Sequence, residues 1–452
     1  MRRPMDEMLR KAAARRSGHM PGHKGRAPFE CEDLYALDTT ELPVTDDLYA
    51  PERGIAQAEA LYARAAGAGK TIFLHNGSTA GIHVMLQLWA REGETVILPR
   101  NAHLSAMNAC AIGGMETVWI PVTQRADGYC YVREEDVLAT LRAYPEAKTL
   151  LMTRPDYYGG CTALENIIAE AHAMGVHVVV DEAHGAHLPW LAQVQSAGAL
   201  GADAWVQSVH KTLPGLTGAA VLHLRDEAEG AQALRILRRE QTSSPSFLLM
   251  RSIDDARALM EMEGAERLKR LTDALEKLRL RLKTTAYRDA HALWRETGEQ
   301  FDPTRLVLDA PEGGAALADA LEARGLDVEM HDAHRVVLIF TCMDGEEDVN
   351  ALEKALTELP KASKVAIPPM EKALTLPEKR MSPRRAVMAQ EERVPLDRCE
   401  GRVAAVSAGL YPPGIPLVCP GEEITREAVA QLAARTEQQR FGMEGECMIC
   451  VK

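Results

Sequence analysis

The chain has 452 residues, of which 46% are hydrophobic and 26% are charged. This composition is typical of ordinary globular domains and excludes disordered, collagen-like and coiled-coil proteins. The 52 basic and 65 acidic side chains give a formal net charge of −13, so we expect no nucleic acid partner, because an acidic chain repels a phosphate backbone.

The amino-terminal residues include basic side chains but lack the apolar central stretch of a secretory signal, and Asp6 and Glu7 argue against a transit peptide. No apolar run approaches the roughly 20 residues of a membrane span, so we expect no membrane partner.

Nine scattered cysteines do not indicate a disulfide framework. Cys447 and Cys450 form a CxxC that no second pair supports, so we predict no metal site. A reduced, cytoplasmic setting is the expectation.

From residue 54 to residue 224 the pattern alternates helices with short apolar strands. Helices are predicted over 54–69, 78–93, 134–144 and 164–174, and strands over 71–74, 95–99, 117–121, 148–153, 176–181 and 204–208. Short apolar runs separated by helices indicate a mostly parallel sheet that is covered on both faces. Such sheets bind ligands at the carboxyl ends of their strands, so the functional residues are sought there.

Beyond the predicted sheet, the sequence indicates a long charged helix and two smaller units. The helix is predicted over 252–282, and a small α+β domain contains predicted strands over 305–309, 327–332 and 335–341 and a helix over 315–324. A Pro/Lys-rich joint at 359–374 leads into the last segment. We therefore predict an amino-terminal arm (1–53), a large α/β domain (54–250), a linker helix with a small domain (251–365) and a C-terminal α+β segment (366–452).

The segment VVVDEAHGAH ends an apolar strand on Asp181, which puts the carboxylate at the carboxyl edge of the sheet. Such an aspartate can cap the following turn. It can also join a metal cluster with Glu182, His184 and His187, although consecutive acids on an extended chain point to opposite faces, which argues against a metal. A third interpretation is an anion that pairs with a protonated heterocyclic nitrogen.

The segment AWVQSVHKTLPG places Ser208, His210 and Lys211 directly after another apolar strand. A lysine after a strand is often a solvated loop charge. At this edge, however, a partly desolvated lysine can form a Schiff base with an aldehyde cofactor. Pyridoxal phosphate needs an amine, an anion for its ring nitrogen, a flat contact for its ring and a phosphate site. Lys211 and Asp181 supply the first two.

The segment FLHNGSTAGI places Gly77, Ser78 and Thr79 at the start of a helix, where free backbone N–H groups and the helix dipole favour an anion. Ser78 as a plain N-cap is the alternative interpretation. Ser208 and His210 would close on the same phosphate. His103 follows the strand at 95–99 and could lie flat on a pyridine ring, or it is a surface loop histidine.

Together these segments resemble one family, the fold-type-I pyridoxal-phosphate decarboxylases of ornithine, lysine and arginine, most strongly their short bacterial branch. The similar segments extend along nearly the whole chain: HMPGHKG (19–25), TTELPVTDDLYAP (39–51), FLHNGSTAGI (73–82), LPRNAHLSA (98–106), PDYYGG (155–160), VDEAHGAH (180–187), QSVHKTLPGLTGAA (207–220) and YPPGIPLVCPGEEIT (411–425).

The resemblance implies an aspartate-aminotransferase-like large domain, pyridoxal 5′-phosphate as cofactor, and a carboxy-lyase that converts arginine, lysine or ornithine into agmatine or a diamine and CO2 for polyamine biosynthesis. It also implies a homodimer with shared active sites. The implied roles are a Schiff-base lysine at Lys211, a ring-nitrogen partner at Asp181 and a ring-stacking residue at His103. The other implied cofactor contacts are Gly77, Ser78, Thr79, Ala183, His184, Ser208 and His210.

Three positions depart from the family pattern: Asp156 stands where threonine is usual, Leu104 where lysine is usual, and Arg385 where an acid is common. The distal cation of a basic substrate requires a carboxylate. The candidates for that carboxylate, each of which is alternatively a solvated loop acid, are Glu41, Asp46, Asp47, Asp156 and Glu422.

Two other functions remain open at this point. An aminotransferase or carbon–sulfur lyase would use the same cofactor, and a transaminase would need an arginine such as Arg100 or Arg154 to hold the α-carboxylate. A cofactor-binding relative without activity is the second alternative, although the intact set of Lys211, Asp181 and His103 argues against it. The sequence does not distinguish among the three basic amino acids.

Overall fold

The structure is a computed structural model, and it describes residues 15–29, 34–42, 44–125, 127–283, 285–294, 300–359, 371–373, 375–411 and 414–452. The start of the predicted arm and most of the predicted Pro/Lys-rich joint lie outside these residues.

Seven strands form the central sheet of the large domain: β1 (Lys70–Leu74), β2 (Thr95–Pro99), β3 (Glu116–Ile120), β4 (Thr149–Thr153), β5 (His177–Asp181), β6 (Ala204–Gln207) and β7 (Ala220–Leu224). Their order across the sheet is β1-β7-β6-β5-β4-β2-β3. Only the pairs that involve β7 are antiparallel. The prediction of a mostly parallel sheet is confirmed, but the sequence analysis did not identify β7.

Helices cover both faces of this sheet. They are α1 (Gly54–Ala66), α2 (Gly77–Trp89), α3 (Leu104–Gly113), α4 (Glu134–Ala143), α5 (Glu165–Ala173) and α6 (Gly230–Glu240). Strand side chains alternate between two buried cores: Val178 and Val180 pack with α1, α4 and α5, whereas Val179 packs with α2, α3 and α6. This double coverage explains why the strands are continuous apolar runs. Helix α3 was not predicted.

The long charged helix is confirmed as an unbroken helical segment, in which α7 (Phe247–Leu259) and α8 (Ala265–Leu282) are joined by a π-helical turn at Met260–Gly264. The small domain follows, with strands β8 (Arg305–Asp309), β9 (Leu326–Val328), β10 (Met330–His331) and β11 (Arg335–Ile339) and helices α9 (Gly314–Glu322) and α10 (Glu346–Thr357). The single strand predicted over 327–332 is wrong, because β9 and β10 are separated at Glu329. β9 pairs in parallel with Arg16–Gly18 of the arm, whereas β10 pairs with β11.

The C-terminal segment forms two three-stranded sheets, one from Glu391–Pro395, Met443–Glu444 and Cys447–Val451, the other from Ala408–Leu410, Pro416–Val418 and Arg440–Phe441. Its helices are Pro383–Val387 and Arg426–Ala433. Cys447 and Cys450 lie three residues apart on one strand, so their side chains face opposite ways and do not converge on a metal.

Short elements complete the described chain. The strands are Thr123–Arg125, Cys130–Tyr131, Gly160–Cys161, Gln300–Phe301 and Glu371–Ala373, and the helical turns are Leu34–Leu37, Leu188–Trp190, Ala197–Leu200, Val209–Thr212, Glu227–Glu229, His291–Trp294, Leu396–Arg398 and Glu437–Gln439. None of the helices that the structure describes is long and apolar enough to pass through a bilayer.

Candidate active site

The carboxyl edge of β5 and β6 brings together the two segments that the sequence analysis selected. Asp181 is the last residue of β5 and pairs in register with Val206 of β6, two residues before Ser208. The Asp181 side chain is buried, and its Oδ1 accepts a hydrogen bond from the Ala183 N–H at 3.1 Å. A carboxylate is therefore fixed at the edge where ligands bind to such sheets.

Glu182 points away from this edge and does not join Asp181 in a shared site. Its two carboxylate oxygens accept hydrogen bonds from the Ala197 N–H and the Gln207 amide, both at 2.6 Å. Burial raises the pKa of Glu182 to about 7. His187 lies against Asp302 instead, at 3.2 Å. In the described part of the chain no group of three or more potential ligands is arranged to hold a metal, so the structure does not support the metal interpretation.

Lys211 lies on the short helix Val209–Thr212, with its Nζ 3.2 Å from Nε2 of His184. The other ring nitrogen of His184, Nδ1, accepts a hydrogen bond from Nη2 of Arg305 at 3.2 Å. Burial lowers the pKa of Lys211 and the charge of Arg305 lowers it further, whereas Asp181 and Glu329 act in the opposite direction. Burial and the neighbouring cations likewise hold the pKa of His184 well below its ordinary value. A partly desolvated amine of this kind suits nucleophilic attack on a carbonyl.

The first turn of α2 faces the loop after β6, where the phosphate site is predicted. The hydroxyl of Ser208 donates a hydrogen bond to the Ser78 hydroxyl at 2.9 Å. The interpretation of Ser78 as a plain N-cap is wrong, because Asn76 occupies the N-cap position and no side chain caps this helix. Gly77 has a φ of 68°, a left-handed conformation that favours glycine. The free N–H groups of a helix start together with two hydroxyls fit a phosphate.

Two other predicted cofactor contacts, Thr79 and His210, border the same turn. Thr79 is exposed on the first turn of α2. His210 is partly buried, and its Nδ1 donates to the Ala219 carbonyl at 3.0 Å, which leaves the Nε2 side of the ring for another partner. Burial lowers the pKa of His210. A bound phosphate dianion would favour the protonated ring.

His103 caps the start of α3, and its Nδ1 accepts hydrogen bonds from the Ser105 hydroxyl at 2.7 Å and the Ser105 N–H at 3.2 Å. The surrounding protein lowers the pKa of the ring, Lys211 lowers it further, and Asp181 opposes them. His103 follows β2, which runs parallel to β4 and β5, so it lies at the same edge of the sheet as Asp181. Its role as a ring-stacking residue stays a prediction.

The amino-terminal arm lies between the small domain and residues 208–213, which include the short helix that carries Lys211 and are called the Lys211 loop below. The Gly22 N–H donates to the His210 carbonyl at 2.7 Å, and the Gly22 carbonyl accepts from the Thr341 hydroxyl at 2.7 Å. Lys24 donates to the Ile339 carbonyl at 2.7 Å. The family-like segment HMPGHKG therefore packs next to Lys211, a position that its sequence alone does not indicate.

The sequence analysis missed Glu329, a carboxylate on the small-domain side of the site. It lies at the break between β9 and β10, where its Oε1 accepts from the Tyr157 hydroxyl at 2.6 Å and its Oε2 from the Met20 N–H at 3.0 Å. The Tyr157 ring lies 5.1 Å from that of His184. The analysis also missed Arg305, since an arginine at the start of an apolar strand gives no signal of a functional role.

Two of the predicted substrate carboxylates are occupied by contacts within this chain. Asp156 accepts hydrogen bonds from the N–H groups of Tyr158 and Gly160 and from the Tyr129 hydroxyl, at 2.7–3.0 Å, and burial raises its pKa to about 6. Asp46 accepts from the backbone N–H groups of Asp47, Glu52, Arg53 and Ile55. Both acids stabilise the turns around them, so the structure does not support them as substrate contacts.

Glu422 is also engaged, in a buried pair with Arg100 at 2.6 and 2.7 Å. Arg154 donates to the Thr162 carbonyl at 3.0 Å and to a second carbonyl, that of Gln195. The structure thus leaves neither Arg100 nor Arg154 available as the carboxylate clamp that a transaminase would need. Glu422 is likewise not supported as a substrate contact.

Four other predicted or departing positions remain to be placed. Asp47 accepts from the Tyr49 N–H at 2.8 Å, and Glu41 contacts the Thr40 hydroxyl; their substrate roles stay predictions. Leu104 and Arg385 are exposed, Leu104 at the start of α3 and Arg385 on the helix Pro383–Val387.

The large domain has the fold of the fold-type-I pyridoxal-phosphate enzymes, and comparison with known families agrees. Residues 4–305 match the family described as Orn/Lys/Arg decarboxylase, major domain, and residues 369–441 match the C-terminal domain of the same family. The chain belongs to the Orn/Lys/Arg decarboxylase family, which confirms the resemblance found in the sequence.

Individual relatives extend this finding over nearly the whole chain. The chain is 32% identical to arginine decarboxylase of Bacillus subtilis, over 95% of this chain and 92% of the relative. It is also 32% identical to arginine decarboxylase of Halalkalibacterium halodurans, over 94% and 90%. Lysine decarboxylase A from Pseudomonas aeruginosa has the same fold, with a TM-score of 0.77 at 21% identity over 92% of this chain and 74% of that chain.

Proposed function

We propose that this chain is a pyridoxal-phosphate-dependent decarboxylase of a basic amino acid, with arginine as the first substrate to test. The observation that carries the proposal is the edge of the sheet where Lys211, Asp181, His103 and the hydroxyl pair Ser78–Ser208 meet. Membership of the Orn/Lys/Arg decarboxylase family supports this reaction class. The two relatives named arginine decarboxylase support arginine over lysine and ornithine.

The residues of the site fit the cofactor, and each has a role that follows from its surroundings. Pyridoxal phosphate, when bound, supplies an electron sink for the electron pair left on the substrate as CO2 departs. The Lys211 amine, whose pKa burial lowers, is the group that would join the cofactor aldehyde. The Asp181 carboxylate would hold a proton on the ring nitrogen. The hydroxyls of Ser78 and Ser208 would bind the phosphate at the start of α2.

The small domain and the arm would complete the site by excluding water from the face opposite α2. Gly22 of the arm donates to the His210 carbonyl, and Glu329 of the small domain accepts from the Met20 N–H, so the arm connects the Lys211 loop with the small domain. In a site that is closed in this way, charge on the α-carboxylate is poorly solvated, and its loss as neutral CO2 is favoured.

The proposal includes a homodimer that shares its active sites and supplies amines for polyamine biosynthesis. Exposed apolar side chains of the arm support a second copy, since Tyr35 is 90% exposed and Val44 is 87% exposed. The eight cysteines of the described chain are all free thiols, which supports a reduced cytoplasmic setting.

The test is an assay of purified protein for CO2 and amine formation from arginine, lysine and ornithine, with and without added pyridoxal phosphate. We expect cofactor-dependent CO2 release, greatest with arginine, and loss of at least about 10³-fold in Lys211→Ala. Formation of a new amino acid from a keto acid co-substrate would support an aminotransferase instead, and sulfide from cysteine would support a lyase. Visible absorption of bound cofactor without any turnover would support an inactive relative.

A further inference from the structure

Three side chains from two domains form a single line of contacts at the site. Nζ of Lys211 lies 3.2 Å from Nε2 of His184, and Nδ1 of the same ring lies 3.2 Å from Nη2 of Arg305. Arg305 is the first residue of β8, so the small domain contributes it to a line whose other members belong to the large domain. Its side chain is fully buried.

The proton positions along this line follow from donor and acceptor chemistry. A guanidinium has five N–H donors and no acceptor, so Nδ1 of His184 must accept the hydrogen bond from Arg305. A neutral imidazole carries a single proton, which must then be on Nε2. The Nε2–H group points at Nζ of Lys211. Nζ can accept that hydrogen bond only as a neutral amine, because an ammonium group has no lone pair.

The surroundings of Arg305 indicate that its main polar contact is the one with His184. In the described part of the chain, no carboxylate lies within ion-pair distance of Arg305, although its charge acts on the buried carboxylates of Asp302 and Asp156. Its Nε and Nη1 have no hydrogen-bond partner. Arg335, an equally buried arginine of the same domain, is paired with Asp127 at 2.9 Å. A buried guanidinium without an ion pair destabilises a fold. Arg305 therefore resembles a functional group more than a structural one.

We infer that Arg305 is a positioning residue, which fixes the proton of His184 on Nε2 so that the Nε2–H group keeps the Lys211 amine neutral and oriented for its carbonyl partner. This inference rests on the proposed function, because it takes Lys211 as the amine that joins the cofactor.

Other charged groups act on the same amine from several elements. Asp181 at the end of β5 and Glu329 between β9 and β10 favour the ammonium form of Lys211. His103 and His210 face the His184 ring and add to the cost of protonating it. The two carboxylates favour protonation of Lys211, whereas the hydrogen bond from His184 favours the neutral amine. Loss of that hydrogen bond should therefore shift Lys211 measurably toward the ammonium form.

The experiment measures the protonation of Lys211 directly, by competitive acetylation of the full-length chain from pH 6 to pH 10 and quantification of the Lys211 peptide by mass spectrometry. Any bound cofactor is removed first, because an amine joined to an aldehyde is not acetylated, and the result is then independent of any decarboxylase activity. We expect Arg305→Met to reduce acetylation of Lys211 at pH 7 about tenfold, which corresponds to one pKa unit. Arg305→Lys, which keeps a cationic donor, should restore most of it. Arg288→Met is the control, since Arg288 pairs with Asp309 on the same strand and lies outside the line of contacts.

A second variant separates the hydrogen bond from the charge of Arg305. In a His184→Phe background, Arg305→Met should change the acetylation rate of Lys211 by less than about threefold, because the line of contacts through His184 is already absent. The same tenfold change in both backgrounds would overturn the inference, as would an unchanged rate in Arg305→Met. If Arg305→Met does not fold, His184→Phe alone must still reduce Lys211 acetylation, and an unchanged rate there contradicts the inference. Failure of the proposed function would appear separately, as wild-type protein that releases no CO2.

Discussion

The hydroxyl of Ser208 donates a hydrogen bond to the hydroxyl of Ser78 at 2.9 Å, and this contact joins the loop after β6 to the first turn of α2. Helix α2 uses neither hydroxyl as a cap, because Asn76 is at its N-cap position and no side-chain cap forms. Two hydroxyls that satisfy only each other, at a helix start with free N–H groups, can turn toward a phosphate with little cost to the fold.

The first prediction concerns these two hydroxyls. We expect Ser78→Ala and Ser208→Ala each to weaken pyridoxal phosphate binding about 5- to 20-fold, as for loss of one hydrogen bond to a charged group, with little change in the free energy of unfolding. Cofactor titration followed by absorbance, and urea unfolding of the cofactor-free protein, measure the two quantities.

Ser246→Ala is the matched control, because the Ser246 hydroxyl does cap a helix by accepting from the Leu249 N–H. It should lower the free energy of unfolding by about 1 kcal/mol and leave cofactor affinity unchanged. If Ser78→Ala behaves like Ser246→Ala, the hydroxyl pair is not a phosphate site.

The second prediction concerns the close approach of the arm to the Lys211 loop. A Cβ at Gly22 would lie 2.5 Å from the Leu213 carbonyl oxygen and 2.9 Å from the Leu213 nitrogen, and both are backbone atoms that no rotamer change can move aside. Gly22→Ala should therefore lower the free energy of unfolding by about 1–3 kcal/mol. It should also lower activity, because Gly22 holds the backbone of His210.

The control for this substitution is Gly54→Ala at the start of α1, where an added Cβ has no neighbour within 4 Å. Alanine should be tolerated there, with equal or slightly higher stability. Urea unfolding and specific activity check both variants. Wild-type stability in Gly22→Ala would mean that the arm does not pack on the loop as described.

The sequence predicted the sheet and its carboxyl edge because each depends on local pattern. The strands around Val179 and Val206 are short apolar runs, and parallel strands bring their carboxyl ends to one edge of the sheet. The sequence pattern alone therefore places Asp181 and Lys211 at the same edge. Strand β7 was missed because it follows a glycine-containing loop and pairs in the opposite direction, which no local signal reveals.

Arg305 and Glu329 could not be predicted, because their positions depend on packing between segments that are distant in sequence. Arg305 opens an apolar strand, and the pattern does not distinguish it from a solvated arginine. Glu329 lies at a break between two strands, and that break exists because β9 pairs with residues 16–18 whereas β10 pairs with β11. The substrate roles predicted for Asp46 and Asp156 lack structural support for the converse reason, because backbone N–H groups close in sequence donate hydrogen bonds to both carboxylates.

The third prediction uses the raised pKa of Asp156. Burial raises this pKa from 3.8 to about 6, so the folded protein binds the proton more tightly than the unfolded chain. Stability from this group is therefore fully present below about pH 4 and is lost as the pH rises through about 6. The loss amounts to roughly 2 kcal/mol after allowance for partial solvent exposure.

Asp156→Asn removes this titration while keeping an acceptor for the Tyr158 and Gly160 N–H groups. The free energy of unfolding of the variant, relative to wild type, should therefore increase by roughly 2 kcal/mol between pH 4 and pH 7. Urea unfolding of both proteins across that range measures it. Burial also raises the pKa of Asp344 to about 6, but this residue is present in both proteins, so its contribution cancels in the difference between their free energies of unfolding. Parallel pH profiles for the two proteins would contradict the assignment.

The fourth prediction concerns Glu329 as the attractant for a basic substrate. With Asp181 assigned to the cofactor ring, Glu329 is the other carboxylate that acts on Lys211. It also lines an open groove of about 730 Å³, in which Asp127 and Asp332 are paired with Arg335 while Glu312 is exposed on the rim. A cationic substrate side chain that comes near Lys211 would therefore be attracted by the Glu329 carboxylate.

Glu329→Gln keeps the shape of the side chain and an acceptor for the Tyr157 hydroxyl but removes the charge. We expect KM for arginine to rise about tenfold, with kcat changed less than about threefold, as for loss of one partly buried ion pair that is present before and during the reaction. Citrulline, a neutral analogue of arginine, should inhibit the variant as well as it inhibits wild type, because it has no charge for Glu329 to attract. Glu312→Gln, an exposed acid on the rim of the same groove, is the control and should leave KM within about twofold. An equal loss of affinity for arginine and citrulline would show that Glu329 supports the shape of the site without attracting the substrate cation.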